Sequence, residues 1–347
     1  MNPLLSSPRD PLPELRLLEN LLHRAGNSVR AKCVLRVPLH GRELPVWRLE
    51  MGSTAPDAPV AGFFGGIHGM ERIGSQVLLA WLESLVSRAQ WDVSLQDLLQ
   101  KVRLVCLPMI NVGGLALNSR ANPAGVDLMR NAPVEAHGYT AWPLGGQRLS
   151  RHLPWYRGGH RLEPEAEALI RVVRESMLHR PFAMAMDCHS GFGLRDRIWF
   201  PWARSREAPP HLAEAVALRH IFNSTYPNHD FYLMEPQSLN YTTHGDLWDY
   251  LYQEHLDSGD PGFFLPFTLE MGSWLWVKKN PRQLFDWFGH FNPVLPHRLK
   301  RVLRRHLTLF DFMLRATASW EQWLPQQEEA RHAYRLAGLE RWYPRGG

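Results

Sequence analysis

The stretch Val60-Ala61-Gly62-Phe63-Phe64-Gly65-Gly66-Ile67-His68-Gly69-Met70-Glu71 decides the fold of this chain. Its first six residues form a continuous apolar run of strand length, the pattern of a strand covered on both faces. Two glycines interrupt the run, and a His and a Glu three residues apart follow. From Ile73 to Ser87 the residues Val77, Leu78, Trp81, Leu82 and Leu85 recur at helical spacing, which predicts a helix facing a core. Strand, Gly-rich turn and amphipathic helix in that order open a parallel βαβ unit.

The same alternation continues in both directions. Strands are expected at Lys32–Pro38, Pro45–Met51, Val102–Asn111, Phe182–Cys188, Arg197–Pro201, Phe231–Met234 and Pro266–Met271, besides Val60–Gly65. Helices are expected at Pro13–Arg24, Pro164–Leu178, His211–Ser224, Gly245–Leu256 and His297–Thr317, besides Ile73–Ser87. These elements predict an α/β fold: a single domain with a mixed, mostly parallel twisted sheet of about eight strands flanked by helices. Residues 118–164 are rich in Gly, Pro and Arg and show no period, and a stretch of that length in a compact domain is commonly functional. The domain is expected over residues 1–318, with a polar, Trp-containing appendage over 319–347.

Composition excludes several classes. With 45% hydrophobic residues among 347, the chain is too apolar to be disordered. Three Cys cannot make a disulfide scaffold, and Cys33, Cys106 and Cys188 lack metal-type spacing. No apolar run reaches the ~18 residues of a membrane span, and the start of the chain lacks the features of a secretory signal. A cytoplasmic protein is therefore expected, without a membrane partner. The net charge of +5 is mild, and its densest run, His297 to Arg305, carries Leu299, Val302 and Leu303 at helical spacing. A solvated helix face explains it, and no nucleic-acid partner is expected. Nothing in the sequence specifies an oligomeric state.

In α/β sheets ligands gather at the carboxyl ends of strands. Three apolar runs end in chemistry: His68 and Glu71 after the first, His189 in Asp187-Cys188-His189-Ser190-Gly191, and Glu270 in Phe267-Thr268-Leu269-Glu270. Imidazole and carboxylate at a strand-to-helix turn suit Zn²⁺, and a catalytic zinc takes three protein ligands plus one open position. His189, 118 residues after Glu71, is the candidate third ligand. A water attacking at such a centre needs a base, and Glu270 is the candidate. Arg120 and Arg130 stand in a Gly- and Asn-rich loop, where a guanidinium fork can support an oxyanion or grip a carboxylate.

The ordered stretches GGIHGMERIG, NVGGLALNSRANPAGVDLMRN, YRGGHRLEPEAEAL, MDCHSG, NYTTHGDLWDY and FTLEMG, spanning residues 65–272, resemble the zinc carboxypeptidase family, the carboxypeptidase A-like metallopeptidases. The likeness is to its compact bacterial branch, which includes murein peptide amidases. That resemblance implies one Zn²⁺ per chain held by His68, Glu71 and His189, with Glu270 as base and proton shuttle. It further implies that Arg120 polarises the scissile carbonyl, that Arg130 and Asn131 belong to the segment binding the substrate carboxylate, and that Tyr241 is a mobile phenol closing over the substrate. Trp248, seven residues on, falls where the family lines its specificity pocket. One departure stands out: Met129 occupies the place of an Asn that shares carboxylate binding, and Met has no donor.

The function expected is zinc-dependent hydrolysis of an amide bond in a peptide or modified peptide. A second reading is a deacylase of small N-acyl amino acids, similar to succinylglutamate desuccinylase and aspartoacylase. A third, from another class, is a non-catalytic glycan or polyanion platform built on the 14 Trp. It is disfavoured because Trp81, Trp199 and Trp202 sit in apolar runs.

Overall fold

The computed structural model describes residues 12–344. Residues 1–11, part of the stretch read as lacking a secretory signal, and residues 345–347 of the C-terminal stretch lie outside the described residues. The elements run α1 (Pro13–Ala25), β1 (Arg30–Leu39), β2 (Arg42–Gly52), β3 (Val60–Gly65), α2 (Arg72–Arg88), α3 (Val93–Lys101), β4 (Arg103–Leu107) and α4 (Val112–Leu117). They continue with α5 (Pro164–Ser176), β5 (Phe182–Ser190), β6 (Asp196–Phe200), α6 (Leu212–Thr225), β7 (Tyr232–Pro236), α7 (Leu247–Asp257), β8 (Phe263–Met271), α8 (Trp274–Lys279), α9 (Pro296–Ala318), α10 (Trp320–Trp323) and α11 (Glu328–Trp342).

The eight strands form one sheet in the order β1-β2-β4-β3-β5-β8-β6-β7. Its centre is parallel: β3 pairs with β4 and β5, and β5 pairs with β8. Antiparallel partners flank it, because β2 runs against β1 and β4, and β6 runs against β8. The continuous apolar runs are explained by this placement, since every residue of β3 and β5 is buried. Adjacent residues of β3 serve opposite faces. Phe63 packs on Trp81 of α2 and Phe310 of α9, with ring centroids 4.5 and 5.5 Å away, whereas Phe64 meets Trp248 of α7 at 4.9 Å. Burying each such Phe contributes about 1.5–3 kcal/mol. Among the described residues, no helix is long and apolar enough to cross a membrane.

Where the sheet differs from the sequence pattern, local chemistry accounts for it. The run Val102–Asn111 is strand only to Leu107, because Pro108 has no N–H for the ladder. Asn111 instead caps α4, its side-chain oxygen accepting the Gly114 N–H at 2.8 Å. Strand β8 starts at Phe263 and runs through Pro266, which is tolerated because β6 covers β8 only from Thr268 to Glu270. Helix α3 has no counterpart in the sequence pattern; it is nine residues long and starts at an Asp92 cap that accepts the Leu95 N–H. The basic run lies on α9 with Leu299 and Val302 buried and Lys300, Arg301 and Arg304 exposed, as expected of a solvated face.

The C-terminal stretch from residue 319 packs onto the same core. Trp320 stacks on Phe182 at 5.6 Å, Trp342 is buried edge-on to Phe200, and Arg331 reaches the fully buried Glu214 of α6 at 2.9 Å. Leaving Glu214 unpaired would strand a buried carboxylate, so α11 is tied to α6 by charge as well as by apolar contact.

Candidate active site

The site stands at the carboxyl ends of β3, β5 and β8. His68 and Glu71 occupy the connection from β3 to α2. That turn is tight: Gly66 has φ +67°, and a Cβ on Gly69 would lie 2.0 Å from the backbone carbon of Gly114. Gly69→Ala is therefore expected to displace the turn that carries His68 and Glu71, lowering stability by about 1–3 kcal/mol and reducing metal uptake. Thermal melting and metal content check this, and an unchanged melting temperature would show that the two turns have room.

His189 is the penultimate residue of β5, and its register partner across the ladder is Glu270 of β8. One ligand atom each from His68, Glu71 and His189 lies within 4.8 Å of the others, and all three residues are buried. Glu71 Oε2 accepts the Ser190 N–H at 3.0 Å and lies 3.2 Å from His189 Nδ1. His189 Nε2 bonds Asp187 Oδ2 at 2.9 Å. Arg120 bonds Asp127 through Nε at 2.9 Å, and its two terminal nitrogens reach Glu71 Oε1 at 3.0 Å and His68 Nε2 at 2.7 Å.

Burial and the Arg120 cation hold His68 well below the ordinary imidazole pKa, which favours the neutral ring that coordinates a metal. Burial works to raise Glu71, but His68, His189 and Arg120 outweigh it and keep it below the usual carboxylate value. The donor set fits Zn²⁺: two imidazoles and a carboxylate, with His68 Nδ1 buried and without a hydrogen-bond partner. Glu270 is 6% exposed, and burial together with the Glu71 charge pushes its carboxyl up to about 8. One Glu270 oxygen accepts the Phe192 N–H at 2.9 Å.

These groups line a cavity of about 740 Å³, and the irregular residues 118–156 supply one wall of it. Arg130, Tyr241, Met129, Thr268, Trp274 and Trp287 also line it. Arg130 is 3% exposed, yet among the described residues it makes no ion pair and only two 3.5 Å contacts to carbonyl oxygens. Tyr241 leans on Phe192 and Trp199, and burial raises its phenol to about 12.

Two residues expected at the substrate are placed elsewhere. Trp248 does not line the cavity; it is buried on α7 against Phe64 and donates its indole N–H to Asp187 Oδ2 at 2.9 Å. Asn131 also stands back from the cavity and ties its own loop together through Arg157 O and the Glu163 N–H. Conversely, the cavity contains Asp246, which sequence reasoning missed. It is 2% exposed, caps α7 through Oδ1, and leaves Oδ2 buried without a partner. Asp187 was missed too, although its spacing two residues before His189 places both side chains on one face of β5.

Such a three-ligand cluster beside a buried carboxylate and two Arg is the arrangement of metallopeptidases. The chain belongs to the zinc carboxypeptidase family, whose model matches residues 35–273, more than two thirds of its length. Carboxypeptidase E of Caenorhabditis elegans is 27% identical over 169 residues, which cover 44% of this chain and 35% of that protein. Carboxypeptidase D of Anas platyrhynchos is 24% identical over 185 residues, 50% of this chain and 12% of that protein. The match thus spans well under half the length of these relatives. Among solved structures, thrombin-activatable fibrinolysis inhibitor superposes with a TM-score of 0.67 at 18% identity, covering 89% of this chain and 74% of that one. Carboxypeptidase A of Helicoverpa armigera gives 0.65 at 18% identity, with 88% and 72% covered. Both share the fold.

Proposed function

We propose that this chain is a zinc-dependent hydrolase of an amide bond in a peptide or modified peptide, with His68, Glu71 and His189 holding one Zn²⁺. The observation that carries it is the convergence of these three residues with Glu270, Arg120 and the unpaired Arg130 on one cavity. Zinc, when bound, supplies Lewis acidity for attack of water on the scissile carbonyl. Glu270 takes the proton of that water and passes it to the leaving amine. Arg120, anchored by Asp127, donates to the carbonyl oxygen as it gains charge. Arg130 takes the carboxylate of the leaving residue, and Tyr241 closes over it. The three free thiols support a reducing, cytoplasmic setting.

The substrate class is narrower than peptides in general. Met129 lines the cavity and gives Arg130 no help with a carboxylate, whereas Asp246, whose Oδ2 is buried without a hydrogen-bond partner, lines the same cavity. A leaving residue carrying both a carboxylate and an ammonium group satisfies Arg130 and Asp246 together. A cavity extending to Trp155 and Trp287 exceeds what a small N-acyl amino acid fills, which disfavours the deacylase reading. The test is a matched panel of peptides ending in Lys, ornithine or norleucine, alongside N-acyl amino acids. Asp246→Asn is expected to lower kcat/KM for the cationic residues by about 10–100-fold, the worth of one charge-assisted bond, with little change for norleucine. Fastest turnover of N-acyl amino acids would overturn the peptide reading. Equal effects of the substitution across the panel would overturn the role of Asp246.

A further inference from the structure

Behind the metal cluster lies a buried chain of hydrogen bonds that no part of the mechanism uses. Trp248 Nε1–H donates to Asp187 Oδ2 at 2.9 Å, and the same oxygen is 2.9 Å from His189 Nε2. We infer that Trp248 and Asp187 are positioning residues that fix the ring of His189 for metal binding. The inference rests on the proposal that His68, Glu71 and His189 hold zinc.

Geometry supports it at each link. Asp187 and His189 are two apart on β5, so their side chains share a face. Nε2–H of His189 donates to the carboxylate, which leaves Nδ1 turned towards Glu71 and the cluster. A carboxylate bonded to the far nitrogen of a metal-binding imidazole orients the ring and raises its basicity. Asp187 is fully buried, and both donors converge on its Oδ2 while Oδ1 has no partner. One oxygen is thus the pivot of the arrangement. Indole is a donor only, so the Trp248 N–H fixes the orientation of the Asp187 carboxylate. Trp248 is itself immobilised, 3% exposed and edge-on to Phe64 of β3, the strand that leads to His68. The indole therefore connects the strands carrying the two His ligands.

Trp248→Phe keeps an aromatic ring in the core and removes the N–H, and Asp187→Asn keeps the shape and removes the charge. Zinc dissociation constants of the purified full chain, measured by competition with a chromophoric chelator, are the readout, with melting of the metal-free forms as a control. Asp187→Asn is expected to weaken zinc binding by about 10–100-fold, and Trp248→Phe by about 3–10-fold. Since Trp248 acts through Asp187, the double variant should bind no more weakly than Asp187→Asn alone. A lower melting temperature with unchanged zinc affinity would reduce both residues to a structural role and overturn the inference, as would additive losses in the double variant. If Asp187→Asn does not fold, Trp248→Phe decides alone: weaker binding supports the relay, unchanged binding overturns it. Failure of the wild-type chain to bind zinc would instead overturn the proposed function.

Discussion

Glu270→Gln is expected to lower kcat by about 10²–10⁴-fold, the usual worth of a positioned general base, and to leave zinc content unchanged. The argument is geometric. Glu270 ends β8 directly across the ladder from His189, so the sheet register sets its distance from the cluster. One of its oxygens is held by the Phe192 N–H, and the other has no hydrogen bond among the described residues. Burial and the Glu71 charge push its carboxyl up to about 8, so the carboxylate is basic enough to take a proton from water and acidic enough, once protonated, to pass it on. Gln keeps the acceptor for Phe192 and the side-chain volume, so the fold is preserved while proton transfer is removed. Hydrolysis of a peptide substrate, with metal content measured in the same preparation, checks this. Undiminished turnover would sink the mechanism.

Stripping the metal with a chelator is expected to abolish hydrolysis, and one equivalent of Zn²⁺ per chain should restore it. The same addition should raise thermal stability, because a ligand that binds only the folded state adds RT ln(1 + [L]/Kd), about 2.7 kcal/mol at a hundredfold excess over Kd. With an unfolding entropy of about 2.1 cal/mol/K per residue, the melting temperature should rise by about 4 °C. His189→Ala should lose both responses, since the two remaining ligands fall short of the three protein ligands a catalytic zinc takes. Full activity of the metal-free chain, or zinc uptake by His189→Ala equal to that of the wild type, would refute the assignment of the cluster.

The convergence of His68, Glu71 and His189 was legible because its signal is local. His68 and Glu71 sit three residues apart after an apolar strand, His189 and Glu270 sit at the ends of two others, and a parallel sheet brings such strand ends together. Residues set by helix rotation were not. Trp248 and Asp246 are both at the start of α7, and which of them meets the cavity depends on how that helix packs against Phe64 and caps its first turn. Asn131 follows Arg130 directly in sequence, but the loop turns it towards Arg157, and it does not line the cavity.

The sequence by itself determined the α/β class, the eight strands, the candidate cluster of His68, Glu71 and His189 and the family likeness, because periodicity and strand-end chemistry are properties of neighbouring residues. Only the tertiary structure decided that Arg130 and Asp246 line one cavity, that Trp248 bonds Asp187 and does not line that cavity, and that the stretch after residue 319 packs on the core through Arg331 and Glu214. Those outcomes depend on which groups far apart in the chain are desolvated together. A buried charge or donor has to find a partner in space, and one-dimensional spacing does not specify where that partner will be.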